Sequence, residues 1–261
     1  MEQTVLKGIF FCDVDGTLLP YGNKSLSTEL MELIHQITKE GYLVCISSGR
    51  PYLALLELFW EVRDEVAFSC CNGSALFYKE KPLADEVFLQ RSVVEGMYDD
   101  CLARGCQAII ATSKRIYLSP RKETSSGKKH YVGKPYAQSI ESLAEVAQEA
   151  HQITICCNEN LGETLSYFKD TWADKVHIAV SGHAMFDLSA SNKGIALKRV
   201  ASCFSLPLDR TFAFGDSEND LSMLRLAGKA FVMESSCEAL RNEIPDHCQD
   251  VGETIRSIVF S

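Results

Sequence analysis

Short apolar runs alternate with amphipathic stretches along the first third of the chain. Val5 to Cys12 (VLKGIFFC) is apolar and rich in branched and aromatic side chains, and it stops at Asp13. A run of that length predicts a buried strand rather than a helix. Over Ser27–Lys39, Leu30, Leu33, Ile34 and Ile37 recur at helical spacing and share one face, with Ser27 as N-cap. Tyr42–Ser47 predicts a second strand. Pro51 opens a helix running to about Trp60, and Val66–Cys71 predicts a third strand. Strand, helix, strand, helix, strand with short connections predicts a parallel sheet covered by helices.

After the turn signal Asn72-Gly73 the pattern changes character. Ala75–Tyr78 predicts a short strand, Val93–Ala103 a helix, and Gln107–Thr112 with Arg115–Ser119 two strands about a turn. Residues 120–135 are polar and basic and predict a loop. Ile140–Ala150 predicts a helix, Ile153–Cys157 a strand and Gly162–Thr171 a helix. Val176–Val180 and Ala184–Leu188 predict a hairpin through Gly182. From Asn192 the parallel pattern returns. Helices are expected at Lys193–Cys203, Asn219–Leu226, Ser236–Asn242 and Glu253–Val259, and strands at Thr211–Phe214 and Ala230–Met233. The fold class expected is α/β, a Rossmann-like parallel-sheet core with an inserted α+β domain. Residues 1–80 and 188–261 form the core, and 81–187 the insert.

Composition narrows the picture. In 261 residues, 46% are hydrophobic and 23% charged, as in ordinary soluble globular proteins. The balance of 26 basic to 35 acidic residues, a net charge of −9, argues against nucleic acid as a partner. No stretch approaches the roughly 20 apolar residues of a membrane span, and the N-terminal run is too short for a signal peptide. A cytoplasmic protein with no membrane partner is expected. The eleven cysteines include the adjacent pairs Cys70-Cys71 and Cys156-Cys157 but no zinc-finger spacing, so buried thiols in a reducing compartment are expected.

Polar residues cluster where the predicted core strands end, and open parallel sheets bind ligands beyond the carboxyl ends of their strands. Asp13 and Asp15 follow the first strand. Ser47, Ser48, Gly49 and Arg50 follow the second, and Asn72 the third. Gly215, Asp216, Ser217, Asn219 and Asp220 follow the strand after the insert. Any one cluster suits a turn or a helix cap. Four at successive strand ends point to a site. Two carboxylates at i and i+2 of a strand share a face, so both can address one ligand.

In these motifs the chain resembles the haloacid dehalogenase superfamily of phosphohydrolases, specifically its Cof-type branch (subfamily IIB) with a large α/β cap. DVDGTL at 13–18 and GDSENDLSML at 215–224 are highly specific. SSGRP at 47–51 and the lysine of NKG at 192–194 complete the set in the required order. The resemblance implies Asp13 as nucleophile, forming an aspartyl-phosphate, and Asp15 as general acid and then base. It implies Mg2+ held by the Asp13 carboxylate, the Asp15 main-chain carbonyl and Asp216, with Asp220 holding the metal's waters or Lys193. Asp220 also suits the N-terminus of the predicted helix, in whose first turn it lies. Ser48 and the Gly49 amide, at a helix start, would bind phosphoryl oxygens, with Ser47 the competing choice. Lys193 would neutralise the transferring group. Asn219 would reach the phosphate or order the site, and Arg50 would bind substrate phosphate or orient the cap. The chain departs from the branch in running directly from Phe186 to Lys193, with Asp187 in place of the usual glutamate.

The implied function is a Mg2+-dependent phosphatase acting on phosphate monoesters of small metabolites, sugar phosphates above all. A phosphosugar mutase would reuse the same aspartyl-phosphate. A non-catalytic phosphometabolite-binding protein is the reading from a different class. No motif carries the substrate contacts of the insert. The basic loop at 121–134 and His183 either meet an anionic substrate or form a solvated surface.

Overall fold

A computed structural model describes residues 6–120, 131–157, 160–182 and 184–261. Most of the basic loop and His183 therefore lie outside the described residues. In chain order the elements are β1 (Gly8–Cys12), α1 (Thr28–Lys39), β2 (Tyr42–Ser47), α2 (Tyr52–Leu58), β3 (Val66–Cys70), β4 (Ala75–Tyr78), β5 (Lys81–Pro82), α3 (Arg91–Ala103), β6 (Gln107–Thr112), β7 (Ile116–Leu118), β8 (Ala137–Ser139), β9 (Ala150–Cys156) and α4 (Leu161–Trp172). They continue with β10 (His177–Gly182), β11 (Met185–Ser189), α5 (Lys193–Cys203), β12 (Thr211–Gly215), α6 (Leu221–Leu224), β13 (Lys229–Met233), α7 (Glu238–Glu243), β14 (His247–Cys248) and α8 (Val251–Val259).

The chain divides into two compact units, Met1–Glu86 with Asn192–Ser261, and Val87–Ser191. The seams fall beyond the expected 80/81 and 187/188. Leu188 and Ser189 belong to β11, which is bonded to β9 and β10 inside the second unit.

The first unit is built on a sheet in the order β14-β13-β12-β1-β2-β3-β4-β5. It is parallel from β14 to β3, and β4 and β5 return antiparallel. β1 lies centrally, and alternation of its side chains decides how the layers form. Phe10 and Cys12 pack into one core with α1, α2 and α8, and Ile9 and Phe11 into the other with α5, α6 and α7. A strand buried on both faces reads as an unbroken apolar run, which is why GIFFC carries no polar residue before Asp13. α1 forms as its spacing predicts, with Leu33, Ile34 and Ile37 buried and the Ser27 side chain accepting from the Leu30 amide.

The second unit has a sheet in the order β10-β11-β9-β6-β7-β8, antiparallel except for the β7–β8 pair. α3 and α4 cover one face, where Ile110, Ile153, Ile155, Phe168 and Phe186 form the core. Here one expectation fails. Ile140–Ala150 is not a helix but a single turn at Leu143–Glu145, capped by Ser142 and Glu145. Arg91 donates to the carbonyls of Leu143 and Val146, acceptors a continuing helix would need for its own amides. The chain instead enters β9 at Ala150, three residues before the predicted strand, to pair with both β6 and β11.

Candidate active site

β1 ends at Cys12 and hands its last buried position to Asp13, whose amide donates 3.0 Å to the Phe214 carbonyl of β12. The following loop closes on itself. Leu19 N donates to Val14 O at 2.7 Å, Gly16 N to Leu19 O at 2.9 Å and Leu18 N to Asp13 O at 3.3 Å. Gly16 sits at φ +93°, and a Cβ there would lie 2.2 Å from Asp216 Oδ2, so only glycine leaves room for that carboxylate.

Asp13 is 5% exposed, and its Oδ1 accepts a 2.6 Å hydrogen bond from Lys193 Nζ. The same ammonium donates 2.5 Å to Asp220 Oδ1. Lys193 is the first residue of α5 and is 1% exposed, an unusual place for an ammonium unless it is paired. Its placement depends on Gly194, where a Cβ would meet the Ser222 carbonyl at 2.3 Å, so α5 approaches the α6 backbone closely only without one. Burial lowers the Lys193 ammonium, but Asp13 and Asp220 outweigh it and hold it well above its usual range. For Asp13, burial and then Asp220 push the carboxyl up, while Lys193 pulls it down.

Asp220 is fully spent. Its Oδ2 accepts the amides of Asp216 and Ser217, both at 3.0 Å, completing the capping box with Ser217. Asp216 differs. Its Oδ2 accepts 2.8 Å from the Tyr21 hydroxyl, whereas its Oδ1 is buried and has no hydrogen-bond partner among the described residues. Oxygens of Asp13, Asp216 and Asp220 lie within 4.8 Å of one another; with Asp220 already engaged, Asp13 and Asp216 are the oxygen donors that suit a hard divalent cation. An orphaned buried carboxylate oxygen beside two further carboxylates costs free energy until a cation offsets it. The residues present therefore fit a metal.

The other candidates divide. Asp15 does not share a strand face with Asp13, because the strand has already ended. Its exposed carboxylate is gripped by Arg50 instead. Ser48 and Gly49 precede α2 by three residues or more and are not on its first turn. Ser48 Oγ accepts from the Arg50 amide at 3.2 Å. Ser47 ends β2 fully buried, its hydroxyl without a hydrogen-bond partner among the described residues. Asn219 accepts from Ser217 Oγ at 2.8 Å and donates to Asn72 Oδ1 at 3.5 Å, joining two strand ends. In the second unit Asp187 is buried and accepts from Thr154 at 2.6 Å and Ser181 at 3.0 Å. Sequence reasoning missed Tyr21. The only signal for it was an aromatic residue between Pro20 and Gly22, close after the first motif.

The family model for haloacid dehalogenase-like hydrolases matches residues 10–250. The chain belongs to that family. Among its relatives is the 5-amino-6-(5-phospho-D-ribitylamino)uracil phosphatase of Bacillus subtilis, 24% identical over 242 residues, 88% of this chain and 87% of the relative. The pyridoxal phosphate phosphatase of Escherichia coli is 24% identical over 259 residues, 88% of each chain. A solved Streptococcus mutans protein superposes with a TM-score of 0.84 at 20% identity, covering 98% of this chain and 100% of that one. A subclass IIB sugar phosphatase of the superfamily gives 0.82 at 20% identity, covering 96% and 98%. This hydrolase is a phosphoric monoester hydrolase, its fold a parallel-sheet core with an inserted α+β unit.

Proposed function

We propose that this chain hydrolyses phosphate monoesters of small metabolites, sugar phosphates among them, through an aspartyl-phosphate on Asp13, with Mg2+ as cofactor. One observation carries the reading. A buried ammonium joins Asp13 to Asp220, while Asp216 keeps a buried oxygen with no hydrogen-bond partner among the described residues.

Asp13 is the nucleophile. Its carboxylate attacks phosphorus, the ester oxygen leaves, and water later cleaves the acyl phosphate to return the carboxylate. Lys193 holds that carboxylate in place and faces the charge that gathers on the transferring group. Asp15 gives a proton to the leaving oxygen and takes one from the water. Ser48, the Gly49 amide and Asn219 bind phosphoryl oxygens, with Arg50 serving substrate or Asp15. Asp13, the Asp15 carbonyl and Asp216 would hold the metal, and Asp220 keeps Lys193 and the Asp216 backbone in register. When bound, Mg2+ offsets repulsion between an anionic nucleophile and a dianionic phosphate.

Relatives that act on a ribitylamino-uracil phosphate and on pyridoxal phosphate, and a sugar phosphatase of like fold, support small phosphorylated metabolites as the substrate class. The insert confers the choice among them, and the protein works in the cytoplasm. No helix among the described residues is long and apolar enough to cross a membrane. The test is phosphate release from a panel of phosphorylated metabolites with Mg2+ or with EDTA, in wild type and Asp13→Asn. Mg2+-dependent release that Asp13→Asn abolishes is expected. Undiminished turnover by folded Asp13→Asn would sink the mechanism.

A further inference from the structure

Tyr21 belongs to none of the motifs, and the residue is 74% exposed. Its hydroxyl nevertheless turns inward and donates 2.8 Å to Asp216 Oδ2, a partner 195 residues away. The loop that carries Tyr21 is tied to the catalytic strand. After the hydrogen bonds that close residues 13–19, Asn23 N donates 3.1 Å to Pro20 O. Gly22, at φ +94°, takes the third position of this turn, where a type II turn needs a positive φ. Tyr21 is thus placed by the loop that also places Asp13.

Gly16 completes the arrangement. A side chain there would strike Asp216 Oδ2 at 2.2 Å and the Tyr21 ring at 2.7 Å, so the carboxylate and the ring both close over a bare backbone. The two oxygens of Asp216 then have different fates. Oδ2 is committed to Tyr21. Oδ1 is buried and has no hydrogen-bond partner among the described residues, in a carboxylate that places an oxygen within 4.8 Å of oxygens of Asp13 and Asp220.

We infer that Tyr21 is a positioning residue for the metal. Its hydroxyl fixes the Asp216 carboxylate in the rotamer that offers Oδ1 to a divalent cation shared with Asp13. This rests on the metal-dependent reading above. Outer partners of metal ligands set ligand orientation, and their removal lowers metal affinity roughly 10–100-fold.

The experiment titrates Mg2+ alone into the metal-free protein by calorimetry, with Mn2+ and electron paramagnetic resonance as the second probe. Wild type, Tyr21→Phe, Tyr21→Ala and Asp216→Asn are compared, and melting in EDTA reports the fold of each. Tyr21→Phe keeps the ring over Gly16 and removes only the hydroxyl. We expect its Kd for Mg2+ to rise about 10–100-fold while its metal-free melting temperature stays at the wild-type value. Tyr21→Ala should lose at least as much affinity. Wild-type Kd values in both Tyr21 variants, with Asp216→Asn binding weakened, would overturn the assignment to Tyr21 and leave the metal reading intact. No Mg2+ or Mn2+ binding by wild type, or full binding by Asp216→Asn, would overturn the metal reading and this inference with it.

Discussion

Arg50 grips Asp15 with two parallel hydrogen bonds, Nε to Oδ2 at 2.9 Å and Nη2 to Oδ1 at 2.6 Å. The side chains are 27% and 51% exposed, so the pair contributes under about 1 kcal/mol to stability. Its consequence is positional, since both oxygens of the proposed proton donor are directed by one guanidinium. Arg50→Ala should leave the urea midpoint nearly unchanged. Its kcat/KM should fall more for alkyl phosphates, which need the leaving oxygen protonated, than for 4-nitrophenyl phosphate. Asp15→Asn sets the scale, with a loss on the order of 10²–10⁴ on alkyl esters. Equal losses by Arg50→Ala on both esters would place Arg50 on the substrate phosphate instead.

Lys193 is a buried cation held between the carboxylates of Asp13 and Asp220. Removing one partner of a buried ion pair costs about 3–5 kcal/mol, because the remaining charges stay desolvated. Lys193→Met should lower stability by that order in EDTA, measured by urea unfolding. Adding Asp220→Asn should recover part of the loss, as expected for side chains in direct contact.

The acidic cluster sets a pH dependence. Burial raises the Asp216 carboxyl, a rise eased by the Tyr21 hydrogen bond and reinforced by Asp220. Burial likewise raises Asp13. An acid with a raised folded value binds more protons when folded than when unfolded. Its stabilising contribution is therefore complete below the unfolded carboxylate value and is lost as pH rises through the folded one. A cation binds the ionised forms, so its affinity runs the other way. The increase in melting temperature on adding Mg2+ should be small at pH 5 and larger at pH 8. At a hundredfold excess over Kd, a stabilisation of about 2.7 kcal/mol translates into on the order of 5–10 °C for a chain of this size. A metal effect that shrinks from pH 5 to pH 8 would contradict the raised carboxylates.

All eleven cysteines are free thiols, and only Cys203 and Cys237 are exposed. Burial pushes Cys12, Cys45 and Cys70 far above the ordinary thiol range, which suppresses the reactive thiolate. Ellman's reagent should therefore titrate about two thiols in the native protein and eleven in denaturant. Fast labelling of many more in the native state would contradict the burial.

Much of the fold was legible. GIFFC, YLVCIS and VAFSC are short apolar runs, and the face of α1 follows from the spacing of Leu33, Ile34 and Ile37. The helix expected over Ile140–Ala150 was not legible, because Arg91, about fifty residues away, takes the carbonyls that would have extended it. The shared face of Asp13 and Asp15 failed for a related reason. The rule of alternation holds only while the strand lasts, and β1 stops at Cys12.

By itself the sequence determined the order of elements, the family motifs and which residue types gather at the strand ends, because periodicity and motif spacing are local properties of the chain. Only the tertiary structure decided the partners. Lys193 bridges Asp13 across 180 residues, Arg50 holds Asp15, and the Tyr21 hydroxyl engages one oxygen of Asp216. Those choices follow from strand order β12-β1-β2, which brings the ends of distant segments together, and from two glycines that leave space for close approach. Periodicity and composition do not say which charged group will stand within hydrogen-bond reach of another once both are buried, and of these contacts the motifs implied only that between Asp220 and Lys193.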